Sequence, residues 1–221
     1  MSKLKVTSVR IVFLALFVYL FITGKVMLWL SLFATTLIVG FFFGRIYCGY
    51  VCPMNTLMIP TEWLSKKLKL QTKKTPKWLN SGKFAWIVLF ISISTMIIFN
   101  IVLNKNLPVL LILLIISVFI TLRYKLEVFH NKICPYGILQ KHTGRFARLS
   151  RRVQPNKCVG CKLCEKSCPS SAIKVSKENK KAMINPSLCH QCQNCSLACP
   201  KDAIYYGASS DMKLKQKKFN M

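Results

Sequence analysis

Eight of the eleven cysteines in this 221-residue chain fall into two runs of identical spacing. Cys158, Cys161, Cys164 and Cys168-Pro169 read C-x2-C-x2-C-x3-C-P, and Cys189, Cys192, Cys195 and Cys199-Pro200 repeat the run at an offset of 31 residues. Ala172-Ile173 and Ala203-Ile204 carry the repeat further. Three thiolates at this spacing can wrap three corners of a cubane, while a fourth, followed by proline, turns away to reach another. The expectation is two [4Fe–4S] clusters with crossed ligation. Cys158, Cys161, Cys164 and Cys199 would hold one, and Cys189, Cys192, Cys195 and Cys168 the other. Structural zinc sites show paired C-x2-C units with a spacer, without a third cysteine at x2 and a fourth before proline. A c-type haem needs C-x-x-C-H, and no cysteine precedes Cys189-His190 at the required distance. His190 is therefore expected at the surface. Val159, Leu163, Ile173, Ile184, Leu188, Leu197 and Ile204 are expected to pack around the clusters and keep water out.

The other three cysteines form a second constellation. Cys48 and Cys52-Pro53 stand in Gly44-Arg45-Ile46-Tyr47-Cys48-Gly49-Tyr50-Val51-Cys52-Pro53, and Cys134-Pro135 stands far downstream. Soft thiolates presented on two separate hairpins can converge on one metal site. Cys48, Cys52 and Cys134 are therefore a candidate metal set. The alternative is that the small residues at a helix end only permit close packing.

These residues must be positioned by a chain that is 52% apolar, with 33 Lys+Arg against 6 Asp+Glu and a formal charge of +27. A soluble basic protein of this kind would suggest nucleic acid. Here the charge is clumped between apolar stretches instead, and no nucleic-acid partner is expected. Residues 11–44 and 84–122 contain only Lys25 and Lys105 as charged residues, which is the pattern of membrane spans. A single helix over 11–44 would be about 50 Å long, too long for one crossing, so Gly24-Lys25 must turn. Arg10 is expected to snorkel outward from the first span. Asn104-Lys105-Asn106 with Pro108 breaks the second stretch, and four spans result.

The segment before the spans (1–10) has three Lys+Arg, loop 45–83 eight and residues 123–221 twenty, while each short turn has one. The positive-inside rule then places both termini and the cysteine-rich module in the cytoplasm of a multi-pass cell-membrane protein. Trp78 and Trp86 bracket the third span, and Trp63 lies in an amphipathic stretch suited to the membrane interface. The expected organisation is a four-helix transmembrane domain at 1–125 with the C-x3-C-P loop at 45–83. A basic linker with the Cys134-Pro135 motif follows at 126–150, then the two-cluster module at 151–208 and a basic tail at 209–221. The fold class is thus an α-helical membrane protein with a C-terminal α+β module of the bacterial 2[4Fe–4S] ferredoxin type.

Taken together, four spans, GRIYCGYVCPMN after the second, CPYG after the fourth and a tandem ferredoxin repeat resemble the NapH-like family of membrane-bound polyferredoxins, related to NosR-type modules. The resemblance implies electron transfer between cytoplasmic clusters and the membrane, commonly with quinol, and a redox contribution from the C-x3-C-P elements. The family pattern has a second C-x3-C-P after the fourth span, where this chain has His130 in place of the first cysteine, so the resemblance makes His130 the candidate fourth ligand beside Cys48, Cys52 and Cys134; the alternative is an interfacial residue.

The function expected on these grounds is a membrane-bound iron–sulfur relay exchanging single electrons with a membrane quinone or a partner redox protein, as a subunit rather than a complete enzyme. A third metal or iron–sulfur centre would be additional. The alternative is an assembly or maturation factor that reduces a metal ion or thiol for another enzyme. The chain has no P-loop, HExxH or G-x-G-x-x-G motif and, with six carboxylates, no acid/base pair to nominate.

Overall fold

Helix breaks follow the glycines and charges. The computed structural model describes residues 3–72, 75–76, 79, 82–103 and 109–208; Lys73, Trp78, the turn at 104–108 and the tail at 209–221 lie outside the described residues. Helix α1 (Lys3–Ile22) and helix α2 (Val26–Phe43) are separated by Gly24, whose φ of +71° is the left-handed conformation that a side chain resists. Both are long and apolar enough to cross a membrane. Phe17 meets Trp29 edge-on between them, ring centroids 5.1 Å apart, while Ile11, Val12, Ile22, Leu28 and Ile38 are exposed. Gly44, at φ +73°, ends α2, and a π-helical turn follows at Tyr47–Val51.

The chain divides into two units: residues up to Val51 together with those from Gln140 onward, and Cys52–Leu139. The expected division at 125 is therefore not the one the structure makes. Helices α1 and α2 share a unit with the cysteine-rich module because polar and backbone contacts join them.

In the Cys52–Leu139 unit, helix α3 (Pro53–Lys67) starts with Cys52 as N-cap and Pro53 at N1, where a missing N–H costs nothing. Helix α4 (Lys83–Leu103) and helix α5 (Val109–Arg123) follow. Leu110, Leu113, Ser117 and Thr121 form the buried stripe of α5 at helical spacing. Helix α5 packs on α3, where the Ser65 hydroxyl donates to the Leu122 carbonyl, and just beyond the two helices Gln71 Nε2 donates to the Tyr124 carbonyl at 3.3 Å. At 15 residues α5 is about 22 Å long. The stretch expected to be a linker is helical, with helix α6 (Leu126–Lys132) burying Leu126, Val128, Phe129 and His130, and helix α7 covering Pro135–Gly144.

The cysteine-rich module is built from two antiparallel strand pairs and two one-turn helices. Strand β1 (Leu149–Val153) pairs with strand β4 (Ile204–Ala208), Val153 opposite Ile204; strand β2 (Ile173–Val175) pairs with strand β3 (Ala182–Ile184), Ile173 opposite Ile184. Helix α8 is Leu163–Lys166 and helix α9 is Asn194–Leu197. The offset of 31 carries Leu163 onto Asn194, Val153 onto Ile184 and Ile173 onto Ile204, so each strand pair takes one strand from each side of the repeat. Even the left-handed residues recur, as Gly160 (+72°) with Gln191 (+57°), Lys162 (+63°) with Gln193 (+65°) and Ser171 (+50°) with Asp202 (+45°). Ile173, Ala182, Ala203 and Ile204 form the core with Cys158, Cys164 and Cys195. Val159, Leu163 and Leu197 do not join it: they are exposed, because they lie on the outer side of their cysteine loops and helical turns.

Candidate iron–sulfur site

The repeat folds each cysteine run into a loop closed by a single helical turn, with a left-handed residue, Lys162 or Gln193, just before that turn. Cys158, Cys161, Cys164 and Cys199 line one pocket together with Val153, Ala182 and Ile204. Cys168 lies close enough to Cys189, Cys192 and Cys195 for its charge to act on all three thiols. The eight cysteines thus gather as three from one run and the last from the other. Backbone N–H groups point at the sulfurs: Ala172 N donates to Cys168 Sγ at 3.3 Å, and Ala203 N to Cys199 Sγ and Ala182 N to Cys158 Sγ at 3.4 Å.

These donors suit iron–sulfur clusters. Burial pushes the Cys195 thiol up to about 12 and also raises Cys189 and Cys192, with neighbouring thiols adding to the effect. A dry group of thiols that resists ionisation becomes an ionised one only with a cation in its midst, and binding then releases protons. The N–H···S bonds stabilise the negative charge that remains on the sulfurs.

Exposure distinguishes the two loops. Cys161 is exposed and Val159 is 60% exposed, whereas Cys192, at the equivalent position in the repeat, is 8% exposed and His190 1%. The expectation of a surface His190 is therefore wrong, and the reason is what covers the second loop. The Tyr50 hydroxyl donates to the Gln191 carbonyl at 3.0 Å, and Gln193 Nε2 approaches the same hydroxyl at 3.4 Å. Gly49 lies directly on the His190 carbonyl, leaving no room for a side chain at position 49. Cys48 Sγ and a ring nitrogen of His190 lie within 4.8 Å of each other. Gln191, held left-handed, spends its side chain on Arg151 N (3.2 Å) and Ser150 Oγ (3.1 Å). Arg45 is fully buried, with Nη2 3.7 Å from Cys48 Sγ and Nη1 3.5 Å from the Ser187 carbonyl.

Arg10 does not snorkel. It is 8% exposed and its Nε donates to the Gly49 carbonyl at 2.8 Å. Its positive charge also favours the thiolate of Cys192, opposing the burial that raises that thiol. Sequence reasoning missed Arg10, Tyr50, His190 and Gln191. The signal was present in the repeat itself: Val159, Gly160 and Lys162 become His190, Gln191 and Gln193 in the second loop.

The second constellation is divided between the units, with Cys48 in one and Cys52, Cys134 and His130 in the other. Cys52 and Cys134 are both buried and close enough to act on Tyr136, whose hydroxyl pKa is raised by burial first and then by these two thiols. Gly137 N donates to Cys134 Sγ at 3.4 Å. His130 is fully buried, its ring edge-on to Phe129 at 5.9 Å, so it is an interior residue of α6 rather than an interfacial one.

Comparison with known proteins fits this donor chemistry. A family model described as a 4Fe-4S binding domain matches residues 26–71 and 106–154, and one described as a 4Fe-4S dicluster domain matches residues 157–203. The chain carries 4Fe–4S ferredoxin-type domains. An uncharacterised protein of Methanocaldococcus jannaschii is 29% identical over 138 residues, 60% of this chain and 54% of that protein. The methylamine utilization ferredoxin-type protein MauN of Methylobacillus flagellatus is 29% identical over 170 residues, 66% of this chain and 57% of MauN. MauN of Paracoccus denitrificans is 26% identical over 155 residues, 60% of this chain and 52% of that MauN. The chain spans about half the length of these curated relatives. No solved structure matches it.

Proposed function

We propose that this protein is a membrane-bound iron–sulfur electron carrier that relays single electrons between a cytoplasmic partner and a membrane quinone or membrane redox complex. The observation that carries the reading is the seat of the second cysteine loop: Gly49-Tyr50, just after an apolar helix, meet the backbone of His190 and Gln191 in a ferredoxin-type site, and Arg10 of the preceding apolar helix holds the Gly49 carbonyl. A redox site fastened to apolar helices suits exchange with the membrane. Cys158, Cys161, Cys164 and Cys199 would hold one cluster, and Cys189, Cys192, Cys195 and Cys168 the other; bound clusters supply reversible one-electron chemistry. The chain's own contribution is to exclude water, donate N–H groups to sulfur and place Arg10 beside Cys192, which favours the reduced, more negative state.

In this reading α1, α2, α4 and α5 all cross the membrane with both chain ends in the cytoplasm, an orientation that the Lys and Arg distribution supports. The shorter α5 is accommodated by local thinning and by charged residues reaching the interface. The NapH-like resemblance and the ferredoxin-type name of MauN support a redox role, and the quinone is the finer part of the proposal. Cys48, Cys52, Cys134 and His130 remain a proposed additional metal set, with thiolate and imidazole donors suited to iron.

The test is anaerobic purification with iron analysis and EPR, followed by addition of a quinol. At least about eight irons per chain and quinol-dependent appearance of reduced-cluster signals are expected. Stoichiometric zinc in place of iron would refute the cluster reading, and clusters that dithionite reduces but no quinol reaches would refute the quinone. Reporter fusions after residue 208 and in the loop between α3 and α4 should read cytoplasmic, and one between α4 and α5 extracytoplasmic.

A further inference from the structure

We propose that the exposed face of the first cysteine loop is the docking surface for a small acidic one-electron carrier protein. The inference rests on the electron-carrier reading above and names the soluble partner. Lys157, Lys162 and Lys201 line the rim of the pocket over Cys158, Cys161, Cys164 and Cys199, and all three lysines are exposed. At the centre of the face stand an exposed Cys161 and two apolar side chains, Val159 at 60% and Leu163 at 44% exposure. An apolar centre within a cationic rim is the anatomy of a transient protein interface, in which charge steers the encounter and the apolar centre seats it.

The repeat supplies an internal control. At the offset of 31, the exposed Lys157 and Lys162 become the half-buried Leu188 and Gln193, and the second loop is the covered one around His190, Gln191 and Cys192. Lysine is therefore concentrated at the loop that faces solvent and missing from the loop fastened to α1 and the Tyr47–Val51 turn. Glu165 is the exposed carboxylate on α8, so the first run from Lys157 to Lys166 still has a net charge of +2, three lysines less one glutamate. The loop is firmly held: the Lys181 ammonium donates to the Cys158 carbonyl at 2.6 Å, and Gly160 lies against the Lys180 carbonyl. A preformed surface needs little ordering on encounter, which suits the short-lived complexes of electron transfer. An anionic lipid surface would also attract lysines, but it offers no electron and no use for the exposed thiol. In the exchange, the reduced carrier loses one electron and the oxidised cluster site gains it, with no bond made or broken.

The experiment uses the full chain in detergent with its clusters loaded, and as probe a reduced acidic [2Fe–2S] ferredoxin. Its oxidation is followed by stopped flow. Wild type should react in a bimolecular step whose rate falls at least ten-fold from low to high salt. The triple variant Lys157→Glu, Lys162→Glu, Lys201→Glu should react at least ten-fold more slowly at low salt, with the salt dependence lost or inverted, while iron content and reduction by dithionite stay at wild-type levels. If the triple variant loses iron, the Lys→Gln triple variant is read instead and should lose at least three-fold. Charge reversal at Lys174 and Lys177, which do not line the pocket, should change the rate less than two-fold. Equal rates for wild type and the rim variants, or rim-dependent binding to phosphatidylglycerol vesicles without rim-dependent electron exchange, would overturn the docking surface alone. A wild-type chain with no cluster that dithionite reduces would overturn the electron-carrier reading beneath it.

Discussion

The two cysteine loops share a spacing and a backbone but differ in what lies outside them. The first run, from Lys157 to Lys166, faces solvent with three lysines, while the second, from Leu188 to Leu197, carries no charged side chain and lies against Gly49, Tyr50 and Arg10. Ligand chemistry tolerates either surrounding, because in both the thiols gather into one group with backbone N–H groups behind them. Outer residues are free to diverge, and the lysines at 157 and 162 have become Leu188 and Gln193 where protein covers the loop. Burying lysine beneath the second loop would cost several kcal/mol without a partner for each ammonium.

The largest expected difference between the loops follows from removing a thiol. Cys168→Ala should cost the cluster on the second loop, about four irons per chain, and leave the first in place, as read by iron analysis and EPR. Loss of the first cluster instead would contradict the grouping of Cys168 with Cys189, Cys192 and Cys195. Gly49→Val comes next. Its side chain would overlap the His190 carbonyl, backbone that cannot swing aside, so a stability loss of about 1–3 kcal/mol is expected, with iron lost from the second loop first. Gly82→Val, where no atom of the described residues lies within 4 Å but φ is +70°, should show only backbone strain and no effect on iron.

A smaller effect is expected at Arg10. Arg10→Met removes a buried charge-assisted hydrogen bond, worth about 1.5–3 kcal/mol, and a positive charge beside Cys192. Redox titration should show the second-loop cluster at a lower potential with the first unchanged. An equal shift in both would mean that Arg10 does not act locally. Tyr50→Phe, which removes the hydroxyl from the Gln191 carbonyl, should cost only about 1 kcal/mol in a thermal melt.

Removing the metal turns the comparison into one of pH. In the iron-free chain the folded thiols of Cys189, Cys192 and Cys195 have raised pKa values, so the unfolded state loses protons first as pH rises. Stability is therefore full below the ordinary thiol pKa of about 8.5 and declines as pH climbs from there toward about 12, the value for Cys195. Melting temperature in chelator should fall across that alkaline range. At pH 8 an alkylating reagent should reach Cys161 first and the second-loop thiols last, measured by peptide mass spectrometry.

Much of this was legible in the chain because it depends on local spacing. Two C-x2-C-x2-C-x3-C-P runs specify inward thiols whatever surrounds them, and Gly24-Lys25 between two apolar stretches specifies a turn. The left-handed pairs at 160 and 191 follow from the repeat, although only the first is a glycine. Tertiary packing decided the rest. Residues 126–144 look like a basic linker by composition, yet α6 is amphipathic and buries one side, with His130 inside it. Val159 and Leu163 look like core and are exposed, because the small cluster-binding core is filled by cysteine, alanine and isoleucine before it reaches the outer side of the loop. Arg10 has the sequence environment of a snorkelling residue, but a carbonyl at Gly49 offers a fixed acceptor at 2.8 Å that competes with water. The sequence by itself determined which atoms could bind iron, since ligand spacing is a property of a few consecutive residues. Which loop is covered and which is open was decided only by the tertiary structure, because residues 49 and 50 meet residues 190 and 191 across about 140 positions of chain, a pairing that no local pattern encodes.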